Sequence, residues 1–220
     1  MPSELYLIRL IHHHTRRAMP GERLWTATEL GSPAIVRFLR ARNREGGEVY
    51  VQPYAGNRNA GYLLVDLDQA APAVVETMRA HGHDPCVVVQ TSPGHLQASV
   101  HLSASSLEPA VATAAGEQLA RAYGGDPAST DWRHLGRLAG FTNQKSARRI
   151  RRGDPPWVKR VYAAAGLAPQ AEALLAVGRE WASSQPALAA SPESNVPDAV
   201  PSIAAAEALA IYQTCLQRWR

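Results

Sequence analysis

The sequence predicts an α/β or α+β sheet domain. Short β-branched runs alternate with longer helical segments as far as about residue 165. Two of those runs, CVVVQTS (86–92) and HLQASVHLS (95–103), are joined only by the turn Ser92-Pro93-Gly94-His95. A long apolar helix signature, SSLEPAVATAAGEQLARAYGG (105–125), follows at once.

Taken in order, residues 3–20 read as a short amphipathic helix. Residues 26–47 read as a helix punctuated near Ser32-Pro33 and stopped by Gly46-Gly47. EVYVQPY (48–54) and GYLLVDLDQ (61–69) read as strands, and 71–85 as a helix ending in a glycine cap. In 105–125, Ser105 is the expected cap, Glu108 completes a capping box and Gly124 ends the helix. A short helix from Pro127 to Leu138 is one option for the next stretch, and another helix is expected over roughly 168–182. Residues 183–202 are rich in Pro, Ser and Ala and read as a linker. Residues 203–220 read as a lone final helix, which either docks on the domain or begins a further helical module.

Composition narrows the class. Of 220 residues, 45% are apolar and 19% charged, ordinary for a globular chain, and no apolar run is long enough to span a membrane. The N-terminus has no signal-peptide pattern, and Cys86 and Cys215 give neither a zinc-finger spacing nor a disulfide framework, so a cytoplasmic protein is expected. The net charge is +4, but Arg133–Arg160 holds nine Lys/Arg and one acid, leaving −4 for the remainder. Such a basic block points to a polyanionic partner, or to a solvated loop.

Three stretches carry possible chemistry. In YLLVDLDQ, Asp66 and Asp68 project to one face of a strand, roughly 6.5–7 Å apart. Like charges so placed repel, and a pair of hard cations about 4 Å apart would relieve them; a solvated turn is the plainer alternative. In HLQASVHLS one face is apolar and the other carries His95, Gln97, Ser99 and His101, a wet surface or the floor of a nucleotide site. The densest stretch is GGDPASTDWRHLGRLAGFTNQK (124–145). Asp126 before Pro127 is a helix cap or an additional acid. Arg133 and Arg137 would stack at i, i+4 on a helix, a cost that an anionic ligand offsets. Arg137, Asn143 and Lys145 would cradle a triphosphate, and the arginines after them would contact a nucleic-acid backbone.

The pieces EVYVQP, GYLLVDLD, CVVVQTSPGHLQASV, GGDPASTDWRHLGRLAGFTNQK and PPWV, in that order, resemble the RepB-type primases of IncQ-like mobilisable plasmids, a branch of the archaeo-eukaryotic primase superfamily. The resemblance covers roughly residues 45–160. It implies an RRM-like sheet with packed helices and a C-terminal helical extension. It implies primer synthesis on single-stranded DNA from nucleoside triphosphates, for plasmid replication, with a two-metal site of Mg²⁺ or Mn²⁺. The implied metal ligands and catalytic acids are Asp66, Asp68 and Asp126. Leu67 separates the first two, where the plasmid primases have adjacent aspartates; the spacing here agrees with the wider superfamily. Ser92, His95, Arg137, Asn143 and Lys145 are the implied nucleotide contacts. Arg133, Arg148, Arg149, Arg151 and Arg152 are the expected DNA contacts. On this reading residues 1–182 are the catalytic unit, 183–202 a linker, and 203–220 the start of a helical bundle; a replicative helicase or a fused relaxase is an expected partner.

Two other readings compete. A rolling-circle initiator or relaxase would nick DNA through a tyrosine and a histidine-held metal, and His12-His13-His14 invites it. A non-catalytic RRM-like module would bind single strands on strand aromatics, which the polar face of 95–101 lacks.

Overall fold

The computed structural model describes residues 5–68 and 73–184. The linker expected from 183 and the final helix at 203–220 lie outside the described residues, except that Ser183 and Ser184 complete a helix. Two antiparallel sheets face each other, each with its own helices on its outer side.

The first sheet opens with β1 (Leu5–His12), β2 (Arg23–Thr26), the single turn α1 (Ala27–Leu30) and α2 (Pro33–Arg44). It continues with β3 (Gly47–Ala55), from which a tight turn leads to β4 (Arg58–Asn59). The strand order is β2-β1-β3-β4. Residues 5–20, within the expected helix, are therefore a strand and its following turn and not a helix. Leu7, Ile8 and Leu10 are all buried, so β1 is covered on both faces and loses the period-two signature of a half-buried strand. Ser32 caps α2, accepting from the Ile35 N–H, with Pro33 in the first helical position. Ile35, Phe38 and Leu39 of α2 pack on Ile8, Leu10 and Val49.

The second sheet comprises β5 (Tyr62–Leu67), then, after α3 (Val74–Ala80), β6 (Pro85–Ser92) and β7 (His95–His101). Gly61, before β5, has φ +86° and lies so close to the Ser103 carbonyl that a Cβ would sit 2.0 Å from it. α4 (Pro109–Tyr123) packs beneath the sheet. The expected capping box is absent: Glu108 is the N-cap and makes no side-chain cap bond, and Glu108 instead pairs with Arg58. Gly124 ends the helix in the left-handed conformation, as expected.

Nor do residues 127–138 form a helix. A three-residue 3₁₀ turn (Pro127–Ser129) is followed by the two-residue strand β8 (Gly136–Arg137), which joins the first sheet beside β3. β9 (Lys159–Ala163) then returns to the second sheet, giving the order β5-β7-β6-β9, and α5 (Ala171–Ser184) packs on α4. In β5 the odd residues Leu63, Val65 and Leu67 enter the helix-covered core. The even residues Leu64 and Asp66 face the first sheet.

Asn43, buried at the end of α2, ties that helix to the start of β3 and to the 140–145 segment. Its Nδ2 donates to the carbonyls of Gly47 and Thr142, and its Oδ1 accepts from the N–H and hydroxyl of Thr142. Truncation strands several of these buried groups, each worth about 1–3 kcal/mol. Asn43→Ala is expected to lower the unfolding free energy by about 3 kcal/mol in urea titration; a loss below about 1 kcal/mol would show that the 140–145 segment is held by other contacts.

Candidate active site

Between the sheets lies a cleft of about 800 Å³, within the range of roughly 300–1,000 Å³ usual for small-molecule sites. Asp66, Asp68 and Asp126 all line it, with Arg16, Arg133, Arg137 and Lys145. The three acids predicted to act together are thus brought to one place from β5, its C-terminal turn and the loop after α4. The Asp126 N–H donates to the Asp66 carbonyl at 2.9 Å, which fixes that loop against β5. Gly125 permits the approach, since a Cβ there would meet the Val65 side chain of β5 at 2.8 Å, and Gly116 lets the same loop close on α4, since a Cβ there would meet the Thr130 carbonyl at 2.9 Å.

The carboxylates differ in their surroundings. Asp66 Oδ2 accepts from Gln97 Nε2 at 3.1 Å, while Oδ1 is buried with no hydrogen-bond partner. Burial pushes the Asp66 carboxyl above its ordinary range; the Gln97 hydrogen bond opposes the shift and the neighbouring Asp68 charge adds to it. Asp68 pairs with Arg148, whose Nη2 lies 2.7 Å from Oδ2, and His95 stands beside it, with Nδ1 3.3 Å from Oδ1. Asp126 uses both oxygens locally, on the Ala128 N–H and the Ser129 hydroxyl. Among the described residues, no three His, Cys, Asp or Glu side chains form a ready-made metal cage. The buried, unpartnered oxygen of Asp66 and its like-charged neighbour nevertheless fit a divalent cation, which would satisfy the one and neutralise both.

The basic residues divide in three. Lys145 is half-buried in the cleft, and burial, reinforced by the nearby Arg137 charge, lowers its ammonium from the ordinary value. Arg137 is buried; it pairs with Glu48, and its Nη2 donates to the Tyr50 hydroxyl at 3.3 Å. Arg148 turns inward to Asp68, whereas Arg149, Arg151 and Arg152 lie exposed in the following loop. Arg133 is exposed at the cleft margin, over the Trp132 ring.

Asn143 and Ser92 do not line the cleft. Asn143 is buried, donating to the Thr91 carbonyl and accepting from the Lys145 N–H, so it shapes the loop that presents Lys145. Ser92 is buried with its hydroxyl unpartnered. His95 supports Asp68 and also contacts Arg148. The histidine triplet divides between the end of β1 (His12) and the following turn (His13 and His14), and His13 bonds the Gly46 carbonyl.

Sequence reasoning missed three cleft groups, Gln97, His134 and Arg16, and the buried Glu48 behind them. Gln97 is the most important: its side-chain carbonyl accepts from the Arg137 N–H at 2.9 Å while its amide holds Asp66. The polar alternation of 95–101 signalled that face without singling out this residue. Glu48 carried no signal, because its partner Arg137 lies 89 positions away. His134 lines the cleft, and burial holds its imidazole below the usual value. Arg16 is the only non-glycine among the described residues with positive φ, at 57°.

Because Asp66 is harder to ionise when folded than when unfolded, its ionisation costs stability. That cost is absent below its ordinary value near 3.8 and is fully present once pH has risen past the raised folded value. Asp66→Asn in EDTA should therefore melt higher than wild type at pH 7–8, at about 2–4 °C per kcal/mol, with the difference vanishing near pH 3.5. A variant that melts lower across the whole range would contradict this account of the site.

Residues 33–175 match the family model of the RepB DNA-primase N-terminal domain. Over 146 residues the chain is 38% identical to mobilization protein A of Escherichia coli, covering 62% of this chain and 18% of that protein. A crystal structure of primase RepB' superposes with TM-score 0.69 at 32% identity, covering 81% of this chain and 58% of that one. A second, of the catalytic domain of primase RepB' in complex with initiator DNA, gives 0.69 at 31% identity, covering 81% and 87%. The archaeo-eukaryotic primase domain of the cyanophage S-2L primase-polymerase shares the fold, with TM-score 0.50 at 16% identity, over 78% of this chain and 89% of that one. The chain therefore spans about a fifth of the length of the mobilization protein and somewhat over half of the first RepB' chain. With the family model covering well over half of its residues, the chain belongs to the RepB DNA-primase N-terminal domain family.

Proposed function

We propose that this domain is a DNA primase, joining nucleotides from nucleoside triphosphates into a primer along a single-stranded DNA template. The observation that carries the reading is the pairing, across one cleft, of the Asp66–Asp68 face with the cations Lys145 and Arg16. Acids for a cation and bases for a triphosphate are what nucleotidyl transfer requires, because the step depends on positioning and charge compensation.

Asp66, Asp68 and Asp126 would hold two Mg²⁺ or Mn²⁺ ions, which when bound would neutralise the triphosphate and favour loss of the proton from the attacking 3′-hydroxyl. Gln97 orients Asp66 through its amide, leaving the second carboxylate oxygen free to ligate. Lys145, destabilised as a cation by burial and by Arg137, gains most from a phosphate beside it. Arg16 has no carboxylate partner among the described residues and reaches the same cleft from the β1–β2 connection. Its left-handed backbone is a strain found preferentially at functional sites. Arg137 and Asn143 act by framing this pocket, and His95 by its place beside Asp68. Arg133, Arg149, Arg151 and Arg152 contact template phosphates. The catalytic unit closes with α5 and works within or beside a larger DNA-processing protein such as a relaxase or with a replicative helicase. Of the described helices, none is long and apolar enough to cross a membrane, and we read the protein as cytoplasmic.

The test is incorporation of labelled nucleotide on a single-stranded template with each divalent metal. Product is expected from wild type and none from Asp66→Asn; a tyrosine-linked nicked strand in its place would favour the relaxase reading. Lys145→Ala should raise the nucleotide KM at least tenfold with template affinity unchanged. Arg16→Gly should also raise that KM while melting no lower than wild type, since glycine accepts the left-handed backbone freely. Unchanged KM in both would remove the triphosphate from this wall of the cleft.

A further inference from the structure

We propose that Trp157 is a base-stacking platform for single-stranded nucleic acid, set beside the catalytic cleft. Trp157 is 55% exposed, and among the described residues no other Trp, Tyr or Phe is exposed. Its backbone is nonetheless rigid. It bridges Thr142, and on either side the Asn143 N–H donates to the Pro156 carbonyl and the Val158 N–H to the Phe141 carbonyl, each at 2.8 Å. Pro156 and Val158 are buried. The chain thus holds a large indole in water on a fixed support. An aromatic so presented needs little ordering on binding and offers its face to a planar partner.

The surroundings identify that partner. Trp157 and the exposed Ile150 border one cavity of about 550 Å³, walled by Pro93, Pro155 and Pro156 and by Lys159. The exposed Arg149, Arg151 and Arg152 lie in the loop that carries Ile150, and Asp154 is the single acid on the cavity. An exposed aromatic beside a row of cations is the combination that binds single strands, with bases on the ring and phosphates on the cations. A duplex would hide its base faces, so the occupant is a single strand.

The platform adjoins the site through two walls. Arg148, which touches Asp68, lies two residues before Ile150, and Pro93 lies in the same turn as His95, which also touches Asp68. A strand stacked on Trp157 therefore passes the loop 146–152 toward the carboxylates. Calling that strand the template rests on the primase reading; the stacking does not.

The experiment is fluorescence anisotropy with a labelled oligothymidylate and an abasic oligomer of equal length and charge. Trp157→Ala should weaken oligothymidylate binding by about 5- to 100-fold, leave abasic binding and the salt dependence unchanged, and melt as wild type. Trp157→Phe should recover most of the loss. Arg151→Ala/Arg152→Ala should weaken both oligomers and flatten the salt dependence. Unchanged oligothymidylate binding by Trp157→Ala would overturn the platform and leave the patch to a protein partner. Equal loss for both oligomers would overturn it as well, because the residue would then be structural. Base-dependent binding in a protein that makes no primer would sink the primase reading and leave the platform standing.

Discussion

The arrangement of this molecule depends on the buried pair of Glu48 and Arg137. β8 is only two residues long, too short to hold a place in a sheet through its own hydrogen bonds. It is held because Arg137 reaches Glu48 on β3 and stacks over the Tyr50 ring, while its N–H is taken by Gln97 of the opposing sheet. Removing either charge would leave the other buried without a partner, at about 3–5 kcal/mol. Gln97 then donates to Asp66. A single relay, Glu48–Arg137–Gln97–Asp66, converts the packing of the first sheet into the orientation of a carboxylate on the second.

The same relay explains why the space between the sheets is a cleft and not a core. Each sheet buries its outer side against helices, and the inner faces carry Asp66, Gln97, Tyr50 and Arg137. An adjoining cavity of about 400 Å³, lined by Tyr6, Leu64 and Val89, continues the gap beyond Gln97 and Arg137. Asp66 and Lys145 are both held in less than their preferred state, one as a carboxylate beside another and one as an ammonium near Arg137. Each would be relieved by a ligand of opposite charge. Stability given up at such groups is the usual cost of a binding site made in advance.

Much of this was legible in the sequence where local chemistry decides structure. The strands β3, β5, β6 and β7 follow their β-branched alternation, Ser32-Pro33 starts α2, and Gly124 ends α4. The alternation in YLLVDLD predicts Asp66 and Asp68 on one face; β5 carries Asp66 and ends at Leu67, and Asp68 follows in the turn, lining the same cleft. What failed had non-local causes. β1 reads as a helix because a strand buried on both faces has no two-residue period, and Leu7, Leu10 and Ile11 fall at helical spacing by coincidence. Arg133 and Arg137 share a helical spacing too, but the chain is drawn into β8 by Glu48, a residue no local rule connects to it. Asn143 looked like a ligand contact because its motif is polar; its amide is consumed by the backbone of Thr91 and Lys145.

The central claim is that Asp66 is held by this relay as a cation ligand. Manganese binding followed by electron paramagnetic resonance, without nucleotide or template, tests it most directly. Wild type should bind manganese in the cleft, Gln97→Leu more weakly with its fold intact, and Asp66→Asn at least tenfold more weakly. Binding by Asp66→Asn equal to wild type would show that the cation sits elsewhere and that the relay serves the fold alone.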